Sequence, residues 1–171
     1  LIGDAVGYLG TLEINQYIDY SGAVASFSLI VFLVYGVVFG KYHFKTRTVE
    51  VDIKNLPKAF DGFKVVQISD AHLGTFDSIS GFNKGIEAIK ATKPDLLLFT
   101  GDLVNNLATE AEPYIDYFKA LKAKHGKFAI LGNHDYADYM QWPNVLDKKK
   151  NLERLHEIHS EMGFRLLDNE H

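Results

Sequence analysis

The sequence contains no cysteine and only 4 prolines among its 171 residues. Without cysteine the chain can form no disulfide, no thiolate metal site and no cysteine nucleophile. It also lacks an excess of basic charge, since 18 Lys and Arg residues stand against 22 Asp and Glu residues, for a net charge of −4. Binding to nucleic acid through bulk phosphate attraction requires a basic face, so we expect no nucleic-acid partner. Any metal ion would have to be bound by His, Asp, Glu or Asn side chains.

The chain is rich in apolar side chains, which make up 47% of its residues, and aromatic residues make up 13%. This composition excludes an intrinsically disordered chain, because disordered segments have too little apolar surface to offset the entropy lost on folding. The length is that of one ordinary domain, or of one domain with a membrane anchor.

A single long stretch of the chain, residues 20–40, contains no charged side chain. A helix of roughly 20 apolar residues is long enough to cross a bilayer core of about 30 Å. We therefore predict a transmembrane helix over residues 22–40. The alternative is a buried helix or strand pair in the core of a soluble protein, where apolar runs of this length are uncommon.

The charges on the two sides of this stretch differ in sign. Residues 1–21 carry acidic side chains and no Lys or Arg, whereas Lys41, Lys45 and Arg47 follow the stretch directly. Basic residues accumulate on the cytoplasmic side of a membrane span. We therefore expect residues 1–21 to form an extracytoplasmic segment or the end of a preceding span. The rest of the chain should lie at the cytoplasmic face of the cell membrane.

The remainder of the chain alternates between strand-like and helix-like patterns. A juxtamembrane linker over residues 41–63 includes an alternating segment, residues 48–53, that predicts an edge strand. Within residues 64–171, four apolar runs predict strands and three amphipathic segments predict helices. The predicted strands are 64–69, 95–100, 127–131 and 164–167, and the predicted helices are 80–92, 109–124 and 147–162. This alternation is typical of βαβ units and predicts an α/β fold with a mostly parallel sheet.

Polar side chains follow three of the predicted strands at the point where each strand ends. Asp-Ala-His follows the first strand, Gly-Asp the second and Gly-Asn-His-Asp the third. Each motif alone is a common turn or helix cap. Because the carboxyl ends of parallel strands lie at one edge of a sheet, their joint placement predicts a metal site there. The residues concerned are Asp70, His72, Asp102, Asn133, His134 and Asp135.

These three motifs resemble the first three signature blocks of the calcineurin-like metallophosphoesterases. The membrane anchor, the basic stretch KYHFKTR and the segment NLPKAFDGFKVVQISDAHLG resemble a membrane-associated bacterial branch of that family, which is related to UDP-2,3-diacylglucosamine hydrolases. The resemblance covers residues 41–171. It implies a metallophosphoesterase-type α/β sandwich of two sheets flanked by helices and preceded by one transmembrane helix. We interpret the chain as containing the N-terminal part of that sandwich.

The resemblance also assigns ligands for two divalent metal ions. It implies that Asp70 and His72 bind the first ion, that Asp102 bridges both ions and that Asn133 binds the second ion through its amide oxygen. This mixture of oxygen and nitrogen ligands suits Mn, Fe or Zn. An anionic bridge such as Asp102 offsets the repulsion between two cations that lie close together.

The third motif supplies two further residues with roles in catalysis. The resemblance implies that His134 stabilises charge on the phosphoryl group or protonates the leaving oxygen. It implies that Asp135 orients the His134 ring by accepting a hydrogen bond from its other nitrogen. The reaction would be hydrolysis of a phosphoester or pyrophosphate bond by a water that two metal ions activate. The aromatic residues that follow the motif, Tyr136, Tyr139 and Trp142, are expected to line a substrate pocket, touch the membrane surface or pack in the core.

One part of the family's metal site is not found in the sequence. The isolated histidine and the terminal Gly-His-x-His motif of the family do not occur before residue 171. We therefore expect the chain alone to be inactive. His156 and His159 lie on a predicted helix, and we expect them to face solvent rather than to replace those ligands.

These observations predict a membrane-anchored, metal-dependent phosphohydrolase. Its substrate would be a phosphorylated small molecule or a lipid-linked pyrophosphate, and the anchor together with the resemblance favours the lipid-linked one. Two alternatives stay open. One is a phosphodiesterase of soluble substrates that is held at the membrane, and the other is a non-catalytic, membrane-bound module that binds metal or a partner protein.

Overall fold

The computed structural model describes residues 2–168 and residue 170, with side chains described at residue 17 and from residue 19 onward. Residue 1 of the predicted extracytoplasmic segment therefore lies outside the described residues. The chain divides into two compact units, Leu1–His43 and Phe44–His171. The first unit is helical, and the second contains a parallel sheet with helices packed on it.

The first unit contains the helix α1, Ile2–Phe39, which is followed by a 3₁₀ turn at Gly40–Tyr42. Its large apolar side chains between residues 20 and 39 are 44% to 72% exposed. The segment Asp19–Tyr42 has the length and the apolar composition to cross a membrane, since a helix of this length rises about 36 Å. A helix that is apolar on all sides is suited to a buried or lipid environment. This finding agrees with the transmembrane helix predicted over residues 22–40.

The second unit is organised around a four-stranded parallel sheet. Its strands are β1 Val65–Ile68, β2 Leu96–Thr100, β3 Lys127–Ile130 and β4 Arg165–Leu166. The helices between them are α2 Ile79–Thr92, α3 Ile115–Lys119 and α4 Val145–Glu161. The strands lie in the order β1-β2-β3-β4, and every neighbouring pair is parallel. The predicted α/β class is confirmed.

The helices cover one face of this sheet. Because neighbouring strands follow the order of the chain, right-handed crossovers place every connecting helix on the same side. The strand side chains on that side are buried, among them Leu97, Phe99 and Ala129. They form one hydrophobic core with Phe82 of α2 and Phe118 of α3. This core fixes the strands whose carboxyl ends carry the three polar motifs.

The opposite face of the sheet is more exposed. Val65 on β1 is 52% exposed and Ile130 on β3 is 43% exposed. Gln67 donates a side-chain hydrogen bond to Thr100 across this face (2.9 Å). In a sandwich, a second sheet packs on such a face. The four strands thus correspond to one layer of the predicted sandwich.

Helices α2 and α4 both begin at a side-chain cap. Ser78 accepts a hydrogen bond from the backbone N–H of Gly81 (3.1 Å), and Asn144 accepts one from the backbone N–H of Asp147 (2.9 Å). Ser and Asn are favoured at this position because their side-chain oxygens satisfy an N–H that has no partner within the helix. The caps place both helix starts within two residues of the predicted ones.

The edge strand predicted over residues 48–53 does not form. Residues 43–53 have no regular secondary structure. The alternating apolar side chains Val49 and Val51 are 79% and 70% exposed. Alternation stabilises a strand only when one face is buried against a partner, and this segment has no such burial.

The helix predicted over residues 109–124 is much shorter in the structure. Only α3 is α-helical, and two 3₁₀ turns, Ala108–Glu110 and Glu112–Tyr114, precede it. Pro113 lacks a backbone N–H and disfavours the helical conformation of the residue before it. The apolar pattern is correct, however, since Phe118 and Leu121 are buried in the core.

Candidate metal centre

The carboxyl ends of β1 and β2 stay paired beyond the strands themselves. The backbone N–H of Asp70 donates to the carbonyl oxygen of Gly101 (3.0 Å), and that of His72 donates to the carbonyl oxygen of Asp102 (3.1 Å). The first two motifs therefore run side by side at the edge of the sheet. This arrangement follows from the parallel register that the alternating strands and helices predict.

Glycine allows the second and third motifs to approach each other closely. A Cβ atom on Gly101 would lie 2.6 Å from the Cα atom of Gly132, which leaves no room for a side chain. Gly101 also has a φ angle of +102°, a conformation that glycine adopts without steric cost. The glycine that begins each of these motifs thus brings the following polar residues together.

Three of the six candidate site residues have a left-handed backbone conformation. The φ angles are +54° at Asp70, +44° at His72 and +58° at Asp102. For residues other than glycine this conformation is uncommon and carries a strain of order 1–3 kcal/mol. It persists where surrounding contacts impose it, and such residues cluster at functional sites. Among the described residues other than glycine, six have a positive φ angle, and three of these are predicted metal ligands.

Three side chains form a compact group of potential ligands. The ligand atoms of His72, Asp102 and His134 all lie within 4.8 Å of one another. The Nε2 atom of His72 is 3.9 Å from the Oδ2 atom of Asp102, and the rings of His72 and His134 meet edge to face with centroids 4.7 Å apart. Asp102 is 9% exposed, and both histidines are half-buried. One carboxylate with two imidazoles is a donor set that fits a divalent transition metal.

The other two predicted ligands are more exposed. Asp70 accepts a hydrogen bond from the hydroxyl group of Ser69. The amide nitrogen of Asn133 donates to the hydroxyl oxygen of Tyr139 (2.9 Å). Asp70 and Asn133 do not belong to the three-residue group, and their assignment as ligands stays a prediction.

His134 is held in place by two hydrogen bonds. Its Nδ1 atom is 2.9 Å from the carbonyl oxygen of Asn105, and its backbone N–H donates to Oδ1 of Asp102 (2.9 Å). A carbonyl oxygen can only accept a hydrogen bond, so Nδ1 carries a proton. Nε2 is then the ring nitrogen that is left for a cation, a substrate oxygen or a proton.

Asp135 has a different role from the one predicted. Its carboxylate is fully buried and accepts four backbone hydrogen bonds instead of one from the His134 ring. The donors are Leu103 and Val104 to Oδ1 (2.9 and 3.2 Å) and Asp102 and Gly132 to Oδ2 (2.9 and 2.9 Å). Burial raises the pKa of Asp135, and the four N–H donors oppose that rise. The carboxylate therefore holds the second motif against the third, and the carbonyl group of Asn105 orients His134.

A second carboxylate, which the sequence did not single out, continues this pattern. Glu110 accepts hydrogen bonds from the backbone N–H groups of Asn105, Asn106 and Leu107 (2.6, 3.2 and 3.0 Å). Gly74 makes room for it, because a Cβ atom there would lie 2.7 Å from the carboxyl carbon of Glu110. An acidic residue three positions after the start of a helical turn commonly reaches back to backbone N–H groups. The three-residue spacing between Leu107 and Glu110 is the sequence signal that could have identified Glu110.

The histidines of α4 do not match their predicted position. His159 is 1% exposed, and its ring centroid is 6.1 Å from that of Phe99 and 6.4 Å from that of Phe164. Burial, with a smaller contribution from His156, lowers the pKa of His159 to about 4. His159 is a neutral core residue, so the expectation that it faces solvent is wrong. His156 is half-buried.

Comparison with known families agrees with this geometry. Residues 63–168 match the family described as calcineurin-like phosphoesterase. The match covers more than half of the chain, and the chain therefore belongs to the calcineurin-like phosphoesterase family. The fold is accordingly that of an α/β metallophosphoesterase, as predicted.

Several relatives of known name are similar to the chain. It is 41% identical over 97 residues to the uncharacterized metallophosphoesterase YkuE of Bacillus subtilis, and the aligned region covers 54% of this chain and 34% of that protein. It is 42% identical over 90 residues to the UDP-2,3-diacylglucosamine pyrophosphatase LpxG of Chlamydia trachomatis, and the aligned region covers 50% of this chain and 27% of that protein. It is 28% identical over 134 residues to a transmembrane protein with metallophosphoesterase domain of Danio rerio, and the aligned region covers 77% of this chain and 30% of that protein.

The chain spans about a third of the length of the curated relatives it matches. No solved structure matches it. The apolar helix α1 and the relative named as a transmembrane protein together indicate a membrane location.

Proposed function

We propose that the chain is part of a membrane-anchored, metal-dependent phosphohydrolase that cleaves phosphoester or pyrophosphate bonds. The observation that carries this proposal is the group formed by His72, Asp102 and His134, whose ligand atoms lie within 4.8 Å of one another. The group lies where the polar motifs follow three adjacent parallel strands. Membership in the calcineurin-like phosphoesterase family supports phosphoester hydrolysis at this site.

We propose that the residues at this edge of the sheet hold two divalent cations. We assign Asp70 and His72 to the first cation, Asp102 to a position shared by both, and the amide oxygen of Asn133 to the second. Cations bound in this way supply Lewis-acid polarisation of phosphoryl oxygens and lower the pKa of a bound water. Asp102 suits the shared position because its carboxylate is already shielded from water, with Oδ2 facing His72 at 3.9 Å.

Of the three grouped side chains, we propose that His72 and Asp102 bind cations and that His134 acts on the substrate beside them. The hydrogen bond between Nδ1 and the Asn105 carbonyl group fixes the rotation of the ring. A donor that is held in place before the reaction needs no reorganisation as charge develops. In its protonated form, the Nε2–H group of His134 can donate to a phosphoryl oxygen or protonate the leaving oxygen.

The apolar helix supports a substrate that resides at a membrane. Lys41, Lys45 and Arg47 follow this helix, which supports a cytoplasmic orientation of the second unit. The similar protein from Chlamydia trachomatis is named as a pyrophosphatase of UDP-2,3-diacylglucosamine. We therefore propose a lipid-linked pyrophosphate as the substrate class.

The proposed activity is tested by hydrolysis of bis-p-nitrophenyl phosphate with the full-length protein in detergent micelles. We expect turnover that depends on added Mn²⁺. Asp102→Ala and His134→Ala should each lower kcat/KM roughly 100-fold or more, because each removes a group that acts on the reacting centre. Titration calorimetry should show weaker Mn²⁺ binding in Asp102→Ala.

Matched controls are available on the same chain. Asp116→Ala and His125→Ala change exposed residues that lie outside the three motifs, and both variants should retain activity and Mn²⁺ binding. If the wild-type protein has no turnover with Mn, Fe or Zn on a panel of phosphodiesters and pyrophosphates, the hydrolase proposal fails. The non-catalytic metal-binding module would then be the better account.

The substrate class and the orientation have separate tests. A lipid-linked substrate predicts that acylated sugar-nucleotide pyrophosphates are cleaved faster than their deacylated analogues, whereas equal rates would favour a soluble substrate. The cytoplasmic orientation predicts that alkaline phosphatase fused after Arg47 is inactive in cells. Activity of that fusion would contradict the orientation.

A further inference from the structure

We propose that Tyr139 is a positioning residue that sets the orientation of the Asn133 amide, so that the amide oxygen is free to bind a divalent cation. This inference rests on the proposed function, because it takes Asn133 as a ligand of the second cation. The sequence leaves the role of Tyr139 open between a pocket wall, a membrane contact and core packing.

Tyr139 contacts two of the candidate site residues at once. Its hydroxyl oxygen accepts a hydrogen bond from the amide nitrogen of Asn133 (2.9 Å). Its ring lies on the imidazole of His134, with centroids 4.7 Å apart and planes inclined by 33°. Tyr139 is 64% exposed, so apolar burial does not explain its position. The contacts to Asn133 and His134 explain its position.

The chemistry of the amide group explains why this contact matters. An asparagine side chain has one branch that accepts through oxygen and one that donates through nitrogen, and only the oxygen can bind a cation. When the amide nitrogen of Asn133 donates to the Tyr139 hydroxyl oxygen, the amide oxygen makes no hydrogen bond to that hydroxyl group. In the flipped orientation the hydroxyl group would instead donate to the oxygen and compete with a cation for it.

The segment that carries Tyr139 is itself held at several points. The backbone N–H of Ala137 donates to the carbonyl oxygen of His134 (2.9 Å), and the indole N–H of Trp142 donates to the carbonyl oxygen of Ala137 (2.9 Å). Ala137 is 1% exposed and has a φ angle of +53°. Asp138 pairs with Lys148 on α4. The turn is therefore fixed on both sides of Tyr139, which allows a single hydroxyl group to act as a directional partner.

The test is a double-mutant cycle on metal binding rather than on activity. Mn²⁺ binding to the full-length protein in detergent micelles is measured by titration calorimetry for wild type, Tyr139→Phe, Asn133→Ala and the double variant. Tyr139→Phe retains the ring and removes only the hydroxyl group. We expect it to weaken the second equivalent of Mn²⁺ about 10-fold or more, the usual effect of removing a partner that orients a ligand. The first equivalent should bind as in wild type.

The cycle separates positioning from a general effect on the fold. In the Asn133→Ala background, Tyr139→Phe should cause no further loss, because the side chain that it orients is gone. Tyr117→Phe is the matched control, since it removes the hydroxyl group from a half-buried tyrosine whose ring packs 6.3 Å from that of Phe82. It should leave both equivalents unchanged.

Three outcomes would overturn the inference. They are unchanged binding in Tyr139→Phe, equal weakening of both equivalents, and a further loss in the Asn133→Ala background. Each of these would leave the proposed function standing, provided that wild type binds two equivalents. If wild type binds no Mn²⁺, the proposed function fails and this inference fails with it.

Discussion

The loops that follow β2 and β3 build the candidate site in opposite ways. After β2, the backbone amides of residues 102–108 all donate to side chains, namely the carboxylates of Asp135 and Glu110 and the amide oxygen of Asn151. After β3, the exposed side chain of Tyr139 contacts the exposed side chain of Asn133 and the half-buried ring of His134. The backbone of the loop after β2 forms a hydrogen-bonded frame that carries Asp102, whereas the loop after β3 adds Asp135 to that frame and presents Asn133 and His134.

This difference indicates which residues stabilise the site and which perform its chemistry. A buried N–H without a partner costs about 1–3 kcal/mol, whereas truncation of an exposed side chain costs little stability. Variants of the frame should therefore lower the free energy of unfolding. Variants of the presented side chains should lower metal binding or turnover and leave the unfolding free energy nearly unchanged.

Removal of the Asp135 carboxylate is the strongest test of this contrast. Asp135→Ala leaves four N–H groups without their acceptor, and we expect it to lower the free energy of unfolding by about 4 kcal/mol or more. Asp135→Asn keeps one acceptor oxygen and should lose about half as much. Denaturant unfolding followed by circular dichroism measures both. If Asp135→Ala unfolds like wild type but fails to bind Mn²⁺, Asp135 belongs with the presented groups.

The buried imidazole of His159 sharpens the contrast with the site histidines. Its pKa is about 4 in the folded protein, below the value of about 6.5 in an unfolded chain. Between these two pH values the unfolded chain binds a proton and the folded chain does not, so acid lowers stability. The free energy of unfolding should fall by about 3 kcal/mol from this group as the pH drops from above 6.5 to about 4.

His159→Leu removes the titrating group and should flatten the pH dependence of unfolding over this range. His125→Gln, which changes an exposed histidine, should leave it as in wild type. A His159→Leu profile as steep as that of wild type would contradict the assignment of His159 to the core.

Glu110 should give the smallest of these effects. Glu110→Ala removes the acceptor of three N–H groups that lie nearer to solvent than those around Asp135. We expect a loss of about 2 kcal/mol in the free energy of unfolding, and a smaller loss in Glu110→Gln. Glu87→Ala is the matched control, since its exposed pair with Lys90 contributes little. A larger loss in Glu110→Ala than in Asp135→Ala would reverse the ranking of the two carboxylates.

The meeting of the three motifs could be predicted from the sequence. Alternating strands and helices predict a parallel sheet, and a parallel sheet brings the carboxyl ends of its strands to one edge. The placement of Asp70, His72 and Asp102 at this edge could therefore be predicted without knowledge of tertiary contacts. The same holds for the placement of Asn133 and His134 directly after β3.

The partners of individual polar groups could not be predicted in this way. The acceptor role of Asp135 depends on where the N–H groups of the neighbouring loop point, which residue types do not encode. His159 is polar by type, yet its burial depends on Phe99 and Phe164 from two other parts of the chain. The segment predicted as a strand over residues 48–53 has the right alternation, but no strand lies beside it in the part of the chain that the structure describes.

The seven consecutive amides of residues 102–108 have a consequence for dynamics. Amide hydrogens exchange with deuterium when local opening breaks their hydrogen bonds, and these amides are bonded to the side chains of Glu110 in the same loop, Asp135 after β3 and Asn151 on α4. Their protection should therefore persist until the loop after β2, Asp135, Glu110 and α4 separate together. A loop with little regular secondary structure would then be among the slowest-exchanging parts of the domain, and its conformational entropy is lost on folding rather than when a ligand arrives.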